Sequence, residues 1–170
     1  MKEHPMLFRT DMVMAILEGR KTVTRRVFGN GGLPINHKFH EGDVLWVRET
    51  WMYAPNYPYL PERYKYKASV SRQFLEEWKG CWRPSIHMPR HAARIFLRVN
   101  DVTVQRLCRI SSSDIWHEGC MPDDYDTFLT HNELSNTYWI PLWDGFYKKR
   151  GIGWDANPWV CRIGFERIRN

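Results

Sequence analysis

Apolar positions along the chain change their spacing several times, and each change marks an element. Met12, Val13, Ile16 and Leu17 share one helical face, Thr10 or Asp11 stands where a cap belongs, and Gly19 offers the left-handed residue that ends such a helix. A strand is predicted from about Thr22. Val44, Trp46, Arg48 and Thr50 alternate with Leu45, Val47, Glu49 and Trp51 directly after the turn signal Glu41-Gly42-Asp43, which predicts a central or barrel-like strand over 44–51. Residues 93–107 read as a long strand through Ile95, Leu97, Val99, Val102 and Val104, with Asn100-Asp101 permitting a bulge. A helix capped by Ser111, Ser112 or Ser113 runs to a stop at Gly119, so that Glu118 falls at its C-terminal end. Further helices are predicted over 128–138 and from Pro141, the latter burying Leu142, Trp143, Phe146 and Tyr147, and a closing strand over 159–168.

Between the first strands and the long one, the periodicity fails. Pro55, Pro58 and Pro61 interleave with Tyr53, Tyr57 and Tyr59, a pattern no central strand tolerates. A short strand near 64–68, a helical turn or two over 71–79 and an extended basic segment over 82–90 follow. Residues 52–92 therefore read as an aromatic insertion within a single domain spanning 1–170, offering one surface for a protein partner.

Composition sharpens this picture. The excess of 25 Lys and Arg over 19 Asp and Glu, with 9 Trp, 8 Tyr and 8 Phe, supplies both the cations and the flat rings that nucleic acids require. No apolar window reaches membrane-spanning length, and the four cysteines lack a C-x-x-C pair, so the chain reads as cytoplasmic and reduced. His37 and His40, His87 and His91, and His117 with Cys120 have spacings that could serve a metal, but without paired cysteines no metal centre and no cofactor is predicted.

Candidate chemistry concentrates in Gly19-Arg20-Lys21-Thr22-Val23-Thr24-Arg25-Arg26. Residues three apart in a strand point to opposite faces, so Lys21 can approach Thr24 only from the turn, with its ammonium swung over the face of Thr22, Thr24 and Arg26. Glu118 sits where the helix dipole disfavours negative charge, which suits proton transfer. Glu49 falls among Leu45, Val47 and Trp51 and needs a cation, Arg26 or Arg94.

The pattern Gly19-x-Lys21-x-x-Thr24-x-Arg26, followed by Gly42-Asp43-Val44-Leu45, resembles the ASCH family, similar to the PUA RNA-binding fold. Trp46-Val47-Arg48-Glu49-Thr50-Trp51, Pro84-Ser85-Ile86-His87-Met88-Pro89 and Gly153-Trp154-Asp155-Ala156-Asn157-Pro158-Trp159 resemble its longer, Trp-rich subgroup often encoded in prophages. The resemblance implies a mixed α+β fold, a small PUA-like β-barrel with flanking helices. It also implies binding of RNA or a nucleoside in a basic, aromatic cleft formed by Arg25, Arg26, Trp46, Arg48, Glu49 and Trp51. Some compact members are amidohydrolases acting on N4-acetylcytidine, and their catalytic lysine, threonine and glutamate fall on Lys21, Thr24 and Glu118. Under that alternative Lys21 is a base whose pKa is lowered by Arg25, Arg26 and burial, Thr24 is the nucleophile or positions a water, and Glu118 shuttles the proton. RNA cleavage, reported in other relatives, is a further alternative.

Overall fold

The computed structural model describes residues 1–27, 31–32, 38–54, 63–77, 80–121 and 129–168. In chain order its elements are β1 (Glu3–Leu7), α1 (Thr10–Leu17), β2 (Val23–Val27), β3 (Val44–Arg48), β4 (Trp51–Tyr53), β5 (Tyr64–Tyr66), α2 (Arg72–Glu77), β6 (Phe96–Arg106), α3 (Ser112–His117), α4 (His131–Leu134), α5 (Ile140–Tyr147) and β7 (Trp159–Arg167). The proline and tyrosine run at 55–62 and the acidic loop at 122–126 lie outside the described residues, as do Trp78 and Phe128.

Five strands form one sheet in the order β1-β3-β6-β7-β2, with β1 parallel to β3 and every other pair antiparallel. β1 and β2 are its end strands, so among the described residues the sheet is mixed α/β in setting but not closed into the expected barrel. The seam is crossed by a side chain instead: Arg26 on β2 donates to the Leu7 carbonyl at 2.9 Å and rests its Nε 3.2 Å from Met6 Sδ on β1. β1 has no alternation to announce it, because an edge strand needs only one inward residue, Met6, and tolerates Pro5.

One core lies between the sheet and α1, where Leu45, Val47, Leu97, Val99, Ile163 and Phe165 meet Val13 and Ile16. A second joins Leu107, Ile115 and Val160 to Trp139 and Trp143 on the helical side. β6 and β7 change register between Val99 and Asp101, which places the bulge at the predicted Asn100-Asp101.

Three local expectations change. α1 begins at Thr10 with Arg9 as its N-cap and no side-chain cap bond, so neither Thr10 nor Asp11 caps it; Gly19 does end the helix region, at φ +82°. The strand predicted over 44–51 breaks after Arg48. Phe8 N–H donates to the Arg48 carbonyl at 3.1 Å, whereas Trp51 exchanges backbone bonds of 3.2 and 2.8 Å with Arg83 in a separate layer, where β4 pairs with β5. The apolar alternation survives the break because Glu49 and Trp51 stay buried against a third small core of Met88 and Ala92. Finally, the two helices predicted over 128–138 and from Pro141 are one run: α4 passes through a π-helical turn, Ser135–Trp139, straight into α5.

Candidate functional site

Lys21 lies in the turn before β2, as its spacing requires, and the backbone on either side of it is fixed. Its own N–H donates to the Ala15 carbonyl at 3.0 Å and that of Thr22 to the His117 carbonyl at 2.9 Å. The end of α1 and the end of α3 are thereby stitched to the same turn. α3 is capped at its start by Ser111, whose hydroxyl accepts from Asp114 N–H, and ends on Glu118, with Gly119 at φ +69° turning the chain away.

These ends bring opposite charges together inside the protein. Lys21 Nζ donates to Glu118 Oε2 at 2.7 Å and to the carbonyls of Glu118 and Val23 at 2.8 Å each, so all three ammonium protons have acceptors. Glu118 Oε1 accepts from Arg25 Nη1 at 3.0 Å, and the other arm of Arg25 reaches Asp114. Asp114 also holds Arg162 at 2.9 Å, and Arg162 in turn meets exposed Asp101. Six charges of alternating sign therefore run from a buried lysine to the surface. Burial pulls the Lys21 ammonium below its ordinary pKa, Glu118 pulls it partly back, and Arg26 adds to the lowering. Of the two arginines expected to lower it, Arg26 contributes, whereas the Arg25 guanidinium is engaged with Glu118 and Asp114.

Thr24 and Arg26 share the face of β2 that meets Ile163 and Cys161, while Arg25 shares its face with Arg162. Arg26 Nη1 donates to Thr24 Oγ1 at 2.8 Å, and its guanidinium stands 5.1 Å from the centre of the Phe8 ring. Thr24 accepts that bond and makes no hydrogen bond to Lys21, whose ammonium is held by Glu118 while standing 5.9 Å from the centre of the same Phe8 ring. Arg26 has neutral acceptors only: Thr24, the carbonyls of Arg25 and Leu7, and a thioether. Burial lowers its pKa below the ordinary arginine value.

Lys21, Thr24, Arg25, Arg26 and Glu118 line one cavity of about 840 Å³. Its other wall is aromatic and aliphatic, from Phe8 and Met12 to Trp139, Trp143, Phe146 and Tyr147. Trp143 is buried, as expected of a core residue, but Phe146 is 45% exposed and forms a side of the cavity. Two lining residues carry buried donors without partners, Arg25 Nε and Trp139 Nε1. A volume of this size, mostly apolar with a few converging polar groups, is that of a small-ligand site.

The remaining predicted site residues do not line it. Glu49 forms a two-pronged pair with Arg94 at 2.9 and 3.0 Å, which selects Arg94 over Arg26; burial raises its carboxyl pKa and Arg94 opposes the rise. Trp46 lies beneath Arg48, with the guanidinium 5.5 Å from a ring centre, and Arg48 donates to the Ile86 carbonyl. Trp51 faces a different cleft with Tyr53 and Tyr64. For Trp51 the strand break after Arg48 is the reason, since it places this residue in the separate β4–β5 pair. Asp114 and Trp139 were not singled out as site residues; the first was legible only as a favourable first-turn acid, the second only as one aromatic among many. Among the described residues no group of three or more His, Cys, Asp or Glu is placed to hold a metal ion, and no helix is long and apolar enough to cross a membrane.

No family model matches the chain, and no curated protein matches it. Among solved structures, the high resolution crystal structure of the ASCH domain from Lactobacillus crispatus JV V101 aligns with 98% of this chain and 78% of that chain, at a TM-score of 0.49 and 9% sequence identity.

Proposed function

We propose that the protein binds a nucleobase-bearing ligand, a nucleoside or a residue of RNA, in the cavity between β2 and α5. The observation that carries this reading is how incompletely the donors there are matched, two without a partner and one guanidinium with neutral acceptors only. Arg26 has no carboxylate partner, Arg25 Nε and Trp139 Nε1 have no partner at all, and all three belong to an aromatic-walled cavity. A flat ring with carbonyl or ring-nitrogen acceptors satisfies such donors while stacking on the walls. Binding of cytidine and of N4-acetylcytidine by calorimetry tests it: Arg26→Ala weakens both, and equal affinity in the variant overturns the reading.

A second reading, hydrolysis of an acyl amide on the base, is favoured by the Lys21–Glu118 contact. At 2.7 Å in a buried site, a proton passing from the ammonium to the carboxylate turns an ion pair into a neutral pair. Neutral Lys21 then takes the proton of Thr24 or of a water beside it as that oxygen bonds to the amide carbon. Arg26, already on Thr24 Oγ1, supplies a positive charge near the amide oxygen on which negative charge develops as the bond forms. Glu118 returns its proton to the leaving exocyclic amine as the C–N bond breaks, which restores the ion pair; if Thr24 is the nucleophile, water releases the acyl group in a second turn of the same cycle. Incubation with N4-acetylcytidine tests this through release of cytidine, lost in Lys21→Ala and in Glu118→Gln. Binding without turnover in the unmodified protein leaves the first reading standing and removes the second.

A further inference from the structure

On the far side of the broken strand lies a second cleft, of about 320 Å³, lined by Trp51, Tyr53, Tyr64, Arg83, His87, Pro89 and His91. We infer that this cleft is a base-stacking subsite for single-stranded nucleic acid, taking a nucleotide next to the one held in the large cavity. Its chemistry is that of the first site without the reactive groups. Tyr64 is the hub of the rings, with centroids 5.8 Å from Trp51, 5.4 Å from Tyr53 and 6.1 Å from His91. The Arg83 guanidinium stands 5.2 Å from the centre of a Trp51 ring. Among the described residues no acidic side chain lines the cleft, and the chain carries a formal net charge of +6, which favours the approach of a polyanion.

Trp51 supplies the independent sign of a missing ligand. It is 4% exposed, yet its indole Nε1 is buried without a hydrogen-bond partner. Buried indole N–H groups ordinarily have one. Tyr53, by contrast, is 43% exposed, although it belongs to the same aromatic group and shares the two-stranded ribbon with Tyr64. An exposed tyrosine ring and an unpartnered indole donor on the lining of one cleft are the features that a base completes, with its face on tyrosine and an edge acceptor on the indole.

The position of the cleft argues for a strand over a free nucleoside. Thr50 lines the large cavity and Trp51, the next residue, lines the small cleft; likewise Ser85 lines the first, while Arg83 and His87 line the second. The paired backbones of Trp51 and Arg83 are therefore a partition with a site on each side. Consecutive Cα atoms lie about 3.8 Å apart, so the walls of the two sites adjoin across this partition. The inference draws on the nucleobase reading of the large cavity for the neighbour, but the cleft has its own test.

The test is binding of a fluorescein-labelled single-stranded RNA of about eight nucleotides, and of the matching DNA, alongside calorimetric binding of cytidine. Unmodified protein binds the oligonucleotide more tightly than cytidine. Tyr53→Ala and Arg83→Ala each weaken the oligonucleotide roughly 5- to 100-fold while leaving cytidine affinity unchanged, and Arg83→Ala also flattens the salt dependence. Trp51→Phe, which keeps a ring in the small core but removes the N–H, weakens the oligonucleotide to a lesser degree. Oligonucleotide affinity unmoved by Tyr53→Ala and Arg83→Ala overturns the inference, as does binding no tighter than cytidine. Protection of the cleft by a polypeptide and not by RNA or DNA overturns it too. Loss of cytidine binding in Arg26→Ala concerns the large cavity alone, so the two readings fail separately.

Discussion

Gly119 lies against Lys21 so closely that a Cβ on the glycine would stand 2.8 Å from the Cβ of Lys21 and 3.3 Å from its Cα. The same Cβ would meet Ala15 at 2.8 Å. The residue that ends α3 is thus also the surface against which the lysine turn is set, and the backbone there has φ +69°.

Gly119→Ala is therefore expected to lose stability twice, roughly 1–3 kcal/mol from the left-handed backbone and a similar amount from overpacking. Gly42→Ala is its control, because φ is +83° there but nothing stands within 4 Å of the new Cβ. Urea midpoints at unchanged slope check the pair: Gly119→Ala falls well below Gly42→Ala, and equal midpoints would show that the close approach is unimportant.

Glu118→Gln removes the charge that faces both Lys21 and Arg25 in a buried place. Stranding buried charges costs about 3–5 kcal/mol. Adding Lys21→Met to it is expected to recover part of that loss, since one of the two stranded cations is then gone. A double-mutant cycle by urea unfolding reads the coupling, and strictly additive losses would argue that the two groups act independently.

Acid should unfold the protein through two aspartates. Burial alone would raise the Asp43 carboxyl, but hydrogen bonds from the Lys2 amide, His4 and the His40 amide outweigh it and hold the pKa below the ordinary value. Burial likewise would raise Asp114, and Arg162 and Arg25 overcome it. A depressed folded pKa means that the unfolded chain takes up protons first. The stability is present above the unfolded value near 3.9 and is lost as pH falls through the folded one. Urea midpoints of the unmodified protein should drop between about pH 5 and pH 3, and Asp43→Asn should be less stable at neutral pH with a shallower drop. A drop of unchanged size in Asp43→Asn would exclude Asp43 as a source.

Alkylation should sort the cysteines. Burial, with Glu118 adding to it, pushes the Cys120 thiol up to about 12, and burial pushes Cys161 to about 11. Neither forms appreciable thiolate near neutral pH, whereas Cys81 is exposed. Iodoacetamide followed by peptide mass spectrometry is expected to mark Cys81 in the native protein and Cys120 and Cys161 only after unfolding; native labelling of Cys120 would mean that the turn around Lys21 opens.

Local signals in the sequence carried the elements that touch the cavity. Gly19, Ser111 and Gly119 are stop and cap residues whose effect is set within a few positions, and Lys21 was placed in the turn by the two-residue period of a strand alone. Less legible was everything decided by distant packing. The alternation through Glu49 and Trp51 is equally satisfied by one long strand or by two short ones in different layers, and only Phe8 and Arg83, each about 30 or more residues away in sequence, choose between them. The separation of Trp51 from Arg26 follows from that choice. Arg26 itself was read as a ligand-facing cation; that it would also reach across to β1 depends on how far the sheet curls, which no periodicity reports.

Arg26 also bears on the edges of the sheet. A sheet with two free ends offers each as a template on which another chain can zip up. Here the Leu7 carbonyl at one end is already occupied by the guanidinium from the other, and Pro5 on the same strand has no N–H to offer. The cation that faces the cavity therefore also covers an acceptor at the rim of the sheet, and a ligand that drew it away from Leu7 would uncover that carbonyl for as long as it stayed bound.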